Sequence, residues 1–210
     1  MAKATGYEVT SVEWPEPVPA TIKTILLDMD GVCCDFVAEA CRWHGIDGAE
    51  VRARWVRGTW DICEPMGIAP DKFWEVLAGQ PRFWRFMPPY SWFKDLIYNL
   101  RLRDAEVIIC TSPSRCPSSH YGKAAWLYDR DICPTTQAVM THRKELLARP
   151  DVVLIDDSDR NVRRFREAGG QAILWPQIWN ELHAWHGDRV LDVSKQLSAM
   201  GVRYRSEDAA

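Results

Sequence analysis

Residues 22–32 read Ile22-Lys23-Thr24-Ile25-Leu26-Leu27-Asp28-Met29-Asp30-Gly31-Val32. An apolar run that stops at two carboxylates spaced two apart has the pattern of a buried strand ending at polar chemistry. Carboxylates are costly to bury unless they are paired, hydrogen-bonded or bound to a metal. Gly31 frees the backbone to turn directly after them. Open parallel sheets place their ligand sites beyond the carboxyl ends of strands. The stretch therefore reads as a metal-assisted reaction centre. The competing reading is a strand that runs into a solvated acidic turn.

Outward from this strand, apolar runs at 107–110, 152–155 and 171–175 predict further buried strands, with a weaker one at 138–140. Helical spacing predicts helices over 36–43, 51–56, 72–77, 92–102, 122–128 and 160–168, the last stopped by Gly169-Gly170. Strands alternating with helices imply an α/β fold, a Rossmann-like parallel sheet covered on both faces. Residues 37–104 contain no convincing strand and are too long for a plain crossover. They read as a small helical cap inserted between the first two strands of a core built from 21–36 and 105–205. Residues 1–20, with Pro15, Pro17 and Pro19, read as an irregular arm, and 206–210 as a polar tail.

The chain has 210 residues and a formal net charge of −3, which gives no electrostatic case for binding duplex nucleic acid. A small anionic ligand in a local positive pocket remains compatible with that balance. No segment approaches the length of a membrane span, and the polar start lacks a secretory pattern. Seven cysteines, an odd number, fit a reduced cytoplasmic setting with buried thiols. Cys116, His120, Cys133 and His142 match no compact zinc spacing.

Three strand ends carry polar groups: Asp28 and Asp30, then Thr111-Ser112, then Asp156-Asp157. In a parallel sheet these ends share one edge, so the groups meet in one cleft. Four converging carboxylates call for a divalent cation, and an all-oxygen ligand set favours Mg²⁺. In this order the motifs resemble those of haloacid dehalogenase-type phosphatases. Within that superfamily the chain is most similar to the 5′(3′)-deoxyribonucleotidases. The phrases that carry the likeness are Leu27-Asp28-Met29-Asp30-Gly31-Val32 with Asp35-Phe36, Ile109-Cys110-Thr111-Ser112-Pro113, Gly122-Lys123-Ala124-Ala125-Trp126, Leu154-Ile155-Asp156-Asp157, and Arg57-Gly58-Thr59-Trp60 in the cap.

The resemblance implies that Asp28 attacks phosphorus and that Asp30 serves as general acid and then base. It implies that Thr111 and Ser112 donate to phosphoryl oxygens. It gives Mg²⁺ to Asp28, the Asp30 main-chain carbonyl and Asp157, with Asp156 in support. Lysines are expected both before the fourth strand, at Lys144, and on the helix after Ser112, at Lys123. The relatives tend to read Thr-Arg-x-Lys where this chain has Thr141-His142-Arg143-Lys144, so His142 or Arg143 takes the arginine's place. Phe36 and Trp60 are the rings expected to face a nucleobase and sugar. Most of Trp55, Phe73, Trp74, Phe83, Trp84 and Phe86 are expected to pack the cap.

The implied activity is Mg²⁺-dependent hydrolysis of (deoxy)ribonucleoside monophosphates, with a small-molecule nucleotide as partner and a homodimer left open. The alternatives are another small phosphate ester, a nucleic-acid 3′-phosphate, or a non-catalytic nucleotide-binding relative.

Overall fold

The computed structural model describes residues 21–133 and 137–205. The arm at 1–20 and the tail at 206–210 lie outside them. Five parallel strands, β1 (Thr24–Leu27), β2 (Glu106–Thr111), β3 (Val139–Met140), β4 (Val152–Asp156) and β5 (Gln171–Leu174), form one sheet in the order β3-β2-β1-β4-β5. β1 is central, with Leu27 in register with Ile109 of β2 and Ile155 of β4. The strand order reverses between β1 and β4, the place where open α/β sheets form ligand crevices.

Side chains alternate across the pleat. Ile25, Leu27, Val153 and Ile155 enter the larger core, whereas Leu26, Leu154 and Leu174 enter a smaller one with Val162 and Phe165. Both faces are therefore covered, which is why β4 is apolar at every position before Asp156.

Between β1 and β2 the chain makes six helices: α1 (Phe36–His44), α2 (Gly48–Arg54), α3 (Cys63–Met66), α4 (Pro70–Leu77), α5 (Pro81–Arg85) and α6 (Phe93–Arg101). Asp35 and Asp47 cap α1 and α2 by accepting from backbone N–H groups, and proline opens α4 and α5. α6 lies against β2 and against α9 (Arg189–Ala199), so it packs with the sheet. α7 (Pro117–Asp129) follows β2 and packs along α5. Their closeness depends on Gly122, where a Cβ would lie 2.4 Å from the Pro81 carbonyl oxygen and 2.5 Å from Trp84 Cβ. α8 (Asp159–Glu167) follows β4, with Ser158 as its cap.

The expected strands and longer helices are present with shifted bounds. α7 begins five residues earlier than its apolar spacing suggests, because Pro117 sits at its first turn. α3 and α5 are too short to show a helical period. α9 buries only Val193, Ser194 and Leu197 among polar neighbours. Among the described residues no helix is long and apolar enough to cross a membrane.

Candidate active site

The parallel ladder continues past the strand ends. Asp28 N–H donates to the Ile155 carbonyl (2.9 Å), Trp175 N–H to Asp156 (2.8 Å) and Thr141 N–H to Thr111 (2.9 Å). These bonds fix Asp28, Thr111, Thr141, Asp156 and Trp175 along one edge.

Asp28, Asp156 and Asp157 are all buried, and each offers a carboxylate oxygen within 4.8 Å of the others. Lys144, in a 3₁₀ turn before β4 (Lys144–Leu147), places its ammonium among them, 2.6 Å from Asp28 Oδ1 and 2.7 Å from Asp156 Oδ2. The contact with Asp156 is a hydrogen bond. The one with Asp28 is a charge pair whose angle leaves Oδ1 without an aligned donor. Asp156 is also held by Ser158 N–H (2.8 Å) and Asn161 Nδ2 (3.1 and 3.2 Å). Asp157 instead lines the cleft, with Trp179 Nε1 donating to its Oδ2 at 2.7 Å.

Asp30 belongs to a second ion pair. Lys123, fully buried on α7, donates to the Asp30 carboxylate, to Thr111 Oγ1 (2.8 Å) and to the Ser112 carbonyl (2.8 Å). Its ammonium also lies 5.3 Å from the Trp84 ring, within cation–π range. Gly31 turns the chain after Asp30 at φ +79°. A Cβ there would fall 2.1 Å from Asp157 Oδ2, so only glycine admits the carboxylate.

Four carboxylates thus face two ammonium groups, an excess of two negative charges in a largely buried place. Burial, opposed by Lys144 and reinforced by the charges of Asp156 and Asp30, pushes the Asp28 carboxyl up to about 7. Burial, Asp28 and Asp156 push Asp157 up in the same way. A single divalent cation cancels that excess. The clustered carboxylate oxygens and the cradle at Gly31 fit a hard cation.

The edge opens into a cleft of about 1180 Å³, larger than most small-molecule pockets. Asp28, Asp30, Ser112, His142 and Asp157 line its floor, and Phe36, Trp60, Trp74, Trp84 and Trp179 form an aromatic wall. Phe36 is the hub of that wall, with the Trp60, Phe73, Trp74, Phe83 and Trp84 rings 5.5–6.4 Å away. Trp60 is 54% exposed. Trp55, Phe73, Phe83 and Trp84 are buried, whereas Trp60, Trp74 and Phe86 are exposed.

Two placements differ from a direct reading of the motifs. Arg143 does not line the cleft and pairs with Glu145 at 3.3 Å. Of the pair at 142–143, His142 alone lines the cleft. Lys123 is spent on protein oxygens and does not line the cleft. Cys116 and His142 line the cleft, but Cys133 does not, and the described residues form no cysteine–histidine metal cluster.

Sequence reasoning missed the loop after β5. Gln177 donates to the Gly31 carbonyl, and Asn180 Nδ2 donates to the carbonyls of Asp157 (2.9 Å) and Trp175 (2.7 Å). The available signal was its position: this loop also leaves the carboxyl end of a strand.

Residues 21–195 match the family model described as 5′ nucleotidase, deoxy (Pyrimidine), cytosolic type C protein. No curated protein matches the chain. Similar solved structures include a haloacid dehalogenase-like family hydrolase from Xanthomonas campestris, with TM-score 0.55, 10% identity, and coverage of 86% of this chain and 92% of that one. Another, a haloacid dehalogenase-superfamily hydrolase from Geobacter sulfurreducens PCA, has TM-score 0.51 and 14% identity and covers 84% and 96%. At such identities the likeness is one of fold. The family match runs from just before β1 into α9, and the chain therefore belongs to this 5′ nucleotidase family.

Proposed function

We propose that the chain is a Mg²⁺-dependent phosphomonoesterase that converts (deoxy)ribonucleoside monophosphates to nucleoside and phosphate. The observation that carries this reading is the meeting of Asp28, Asp30 and Asp157 at the floor of an aromatic-walled cleft, with the buried ammonium groups of Lys123 and Lys144 paired to Asp30 and Asp28 behind it. The family's own description, a cytosolic deoxynucleotidase, supports both the substrate class and a cytoplasmic setting.

In this mechanism an oxygen of Asp28 bonds to phosphorus while the bond to the nucleoside oxygen breaks, leaving an aspartyl-phosphate. Asp30 hands a proton to the departing oxygen, then takes one from the water that releases phosphate and restores Asp28. Lys123 orients Asp30 for both transfers. Lys144 keeps positive charge beside Asp28 as phosphate arrives. Thr111 and Ser112 offer hydroxyls at the end of β2. Asp28, Asp157 and the Asp30 carbonyl would hold Mg²⁺, with Asp156 behind them. When bound, Mg²⁺ offsets the repulsion between the carboxylate and the phosphate dianion. Phe36 and Trp60 present ring faces to base and sugar.

One observation favours a larger ester as a second reading. Arg115, Arg160 and Arg163 line the same cleft, whose volume near 1180 Å³ is generous for a mononucleotide. A 3′-phosphorylated nucleic-acid end would use that space, although the net charge of −3 weighs against a polymer.

Phosphate release from deoxy- and ribonucleoside monophosphates, sugar phosphates and 3′-phosphorylated oligonucleotides, with and without Mg²⁺, tests both. Release confined to sugar phosphates defeats the nucleotidase reading, and release confined to oligonucleotides selects the second. D28N is expected to keep the fold and lose turnover by roughly 10⁴-fold or more, the scale of removing a nucleophile.

A further inference from the structure

Trp179 is buried, at 4% exposure, yet lines the cleft. Its two ends touch different parts of the site. The indole N–H holds Asp157 Oδ2 at 2.7 Å. The ring lies 5.2 Å from Trp60 in an edge-on arrangement and 5.5 Å from Trp55. Gly31 sits between these contacts, since a Cβ there would also approach Trp179 Cζ2 at 3.1 Å.

The backbone around Trp179 is tied at the same two ends. Ile178 accepts from Gly58 N–H (2.9 Å), beside the Thr59-Trp60 turn. Asn180 holds the Asp157 carbonyl from below, and its own Oδ1 accepts from Gln177 N–H (3.2 Å) and Leu182 N–H (3.1 Å). The loop is thus braced internally, and Trp179 is the side chain that spans from the aromatic wall to the acidic floor.

We infer that Trp179 is a positioning residue that fixes the Asp157 carboxylate for the cation and couples that carboxylate to the seat of Trp60. This rests on the proposed cation site and deepens it. An indole donor to one oxygen of a cleft-lining carboxylate leaves the other free of that bond and restrains the rotation of the Asp157 side chain. Groups that orient metal ligands in this manner typically alter metal affinity 10–100-fold when removed. The ring contact adds something a simple donor lacks: displacement of Trp60 moves the indole, and the indole moves Asp157.

Calorimetric titration with Mg²⁺ alone, without substrate, tests the inference on the full chain, W179F and W60L. W179F keeps a ring and deletes the donor, and is expected to weaken Mg²⁺ about 10-fold. W60L leaves every carboxylate and the indole N–H in place, and is expected to weaken Mg²⁺ about threefold through the ring contact alone. Wild-type Mg²⁺ affinity in W179F overturns the inference. Unchanged affinity in W60L overturns the coupling, and it does so even if W179F fails to fold, because Trp60 is 54% exposed and its ring meets the site through Trp179. Absence of Mg²⁺ binding by the unsubstituted chain would sink the cation site itself. Equal affinities in all three proteins would sink only the role of Trp179.

Discussion

The ammonium of Lys144 lies 2.6 Å from Asp28 and 2.7 Å from Asp156, and all three residues are buried. Burial alone would drive Lys144 toward neutrality, but the two carboxylates overcome it and hold the ammonium charged well above the usual lysine range. Removing one member of such a group strands the others. Lys144→Met keeps the stem volume and deletes the charge. Breaking a buried pair costs about 3–5 kcal/mol, which lowers the Tm by roughly 6–20 °C in a chain of this size. The variant also carries a larger negative excess, so Mg²⁺ should raise its Tm more than it raises that of the parent. Thermal scans in EDTA and in Mg²⁺ at pH 8 check both, and a variant as stable as its parent would count against the buried triad.

The raised carboxyls fix a sign for pH dependence without metal. Asp28 stands at about 7 in the fold against an ordinary 3.8, and Asp157 is displaced the same way. The folded chain therefore binds more protons than the unfolded chain between those values. The stability that Asp28 contributes is fully present below pH 4 and is lost as pH rises through about 7. A cation that binds the ionised carboxylates reverses the loss. At a hundredfold excess over its dissociation constant it contributes about 2.7 kcal/mol, a Tm rise of roughly 5–10 °C. That rise should be full at pH 8 and small at pH 5. Equal Mg²⁺ shifts at the two pH values would refute the arrangement.

Lys123 and Asp30 make a separable case. The ammonium contacts Asp30, Thr111 and the Ser112 carbonyl, and no member of the Asp28–Asp156–Asp157 group. Lys123→Met should therefore lower kcat by about 10²–10⁴-fold, the scale of losing acid–base assistance. Mg²⁺ half-saturation should stay within a few-fold of the parent. Steady-state kinetics over a range of Mg²⁺ separates the two quantities. A loss that appears only as weaker Mg²⁺ dependence would contradict the assignment of Lys123 to Asp30.

The strands and the acidic edge were legible because each depends on local composition. Ile25 to Leu27 and Val152 to Ile155 are apolar runs that end at aspartates, and parallel strands bring their ends together. The partners of the lysines were not legible. Lys123 meets Asp30 across 93 positions, and nothing in the spacing tells whether its ammonium faces a substrate or a neighbour. Arg143 and His142 are equivalent in spacing, and only the folded chain distinguishes them: His142 lines the cleft and Arg143 pairs with Glu145. Trp179 carries no motif, since its part is set by contacts with Asp157 and Trp60 that only the folded chain creates. α6 belongs to the long helical block in sequence, but it packs against β2 and α9, with Phe93 at its start against Trp126 of α7.

Arg103 supplies a prediction for the other side of the molecule. It is fully buried just before β2, near the strand's amino end and away from Asp28. It donates to Ser198 Oγ (2.9 Å), to the carbonyls of Val202 (2.9 Å) and Ser194 (3.0 Å), and to Tyr204 Oη (2.8 Å), with the Tyr204 ring 3.7 Å away. These bonds clasp α9 and the strand-like Tyr204 segment to the sheet. Arg103→Met leaves the Val202 carbonyl without its donor, whereas the Ser194 carbonyl keeps Ser198 Oγ at 3.0 Å, and should cost about 1–3 kcal/mol, a Tm loss of roughly 2–12 °C. Because none of those partners lines the cleft, Mg²⁺ affinity and kcat at 25 °C should match the parent. If Arg103→Met weakens Mg²⁺ as strongly as W179F is expected to, then stability and the acidic edge are coupled through the whole sheet, and the local account of Trp179 loses its contrast.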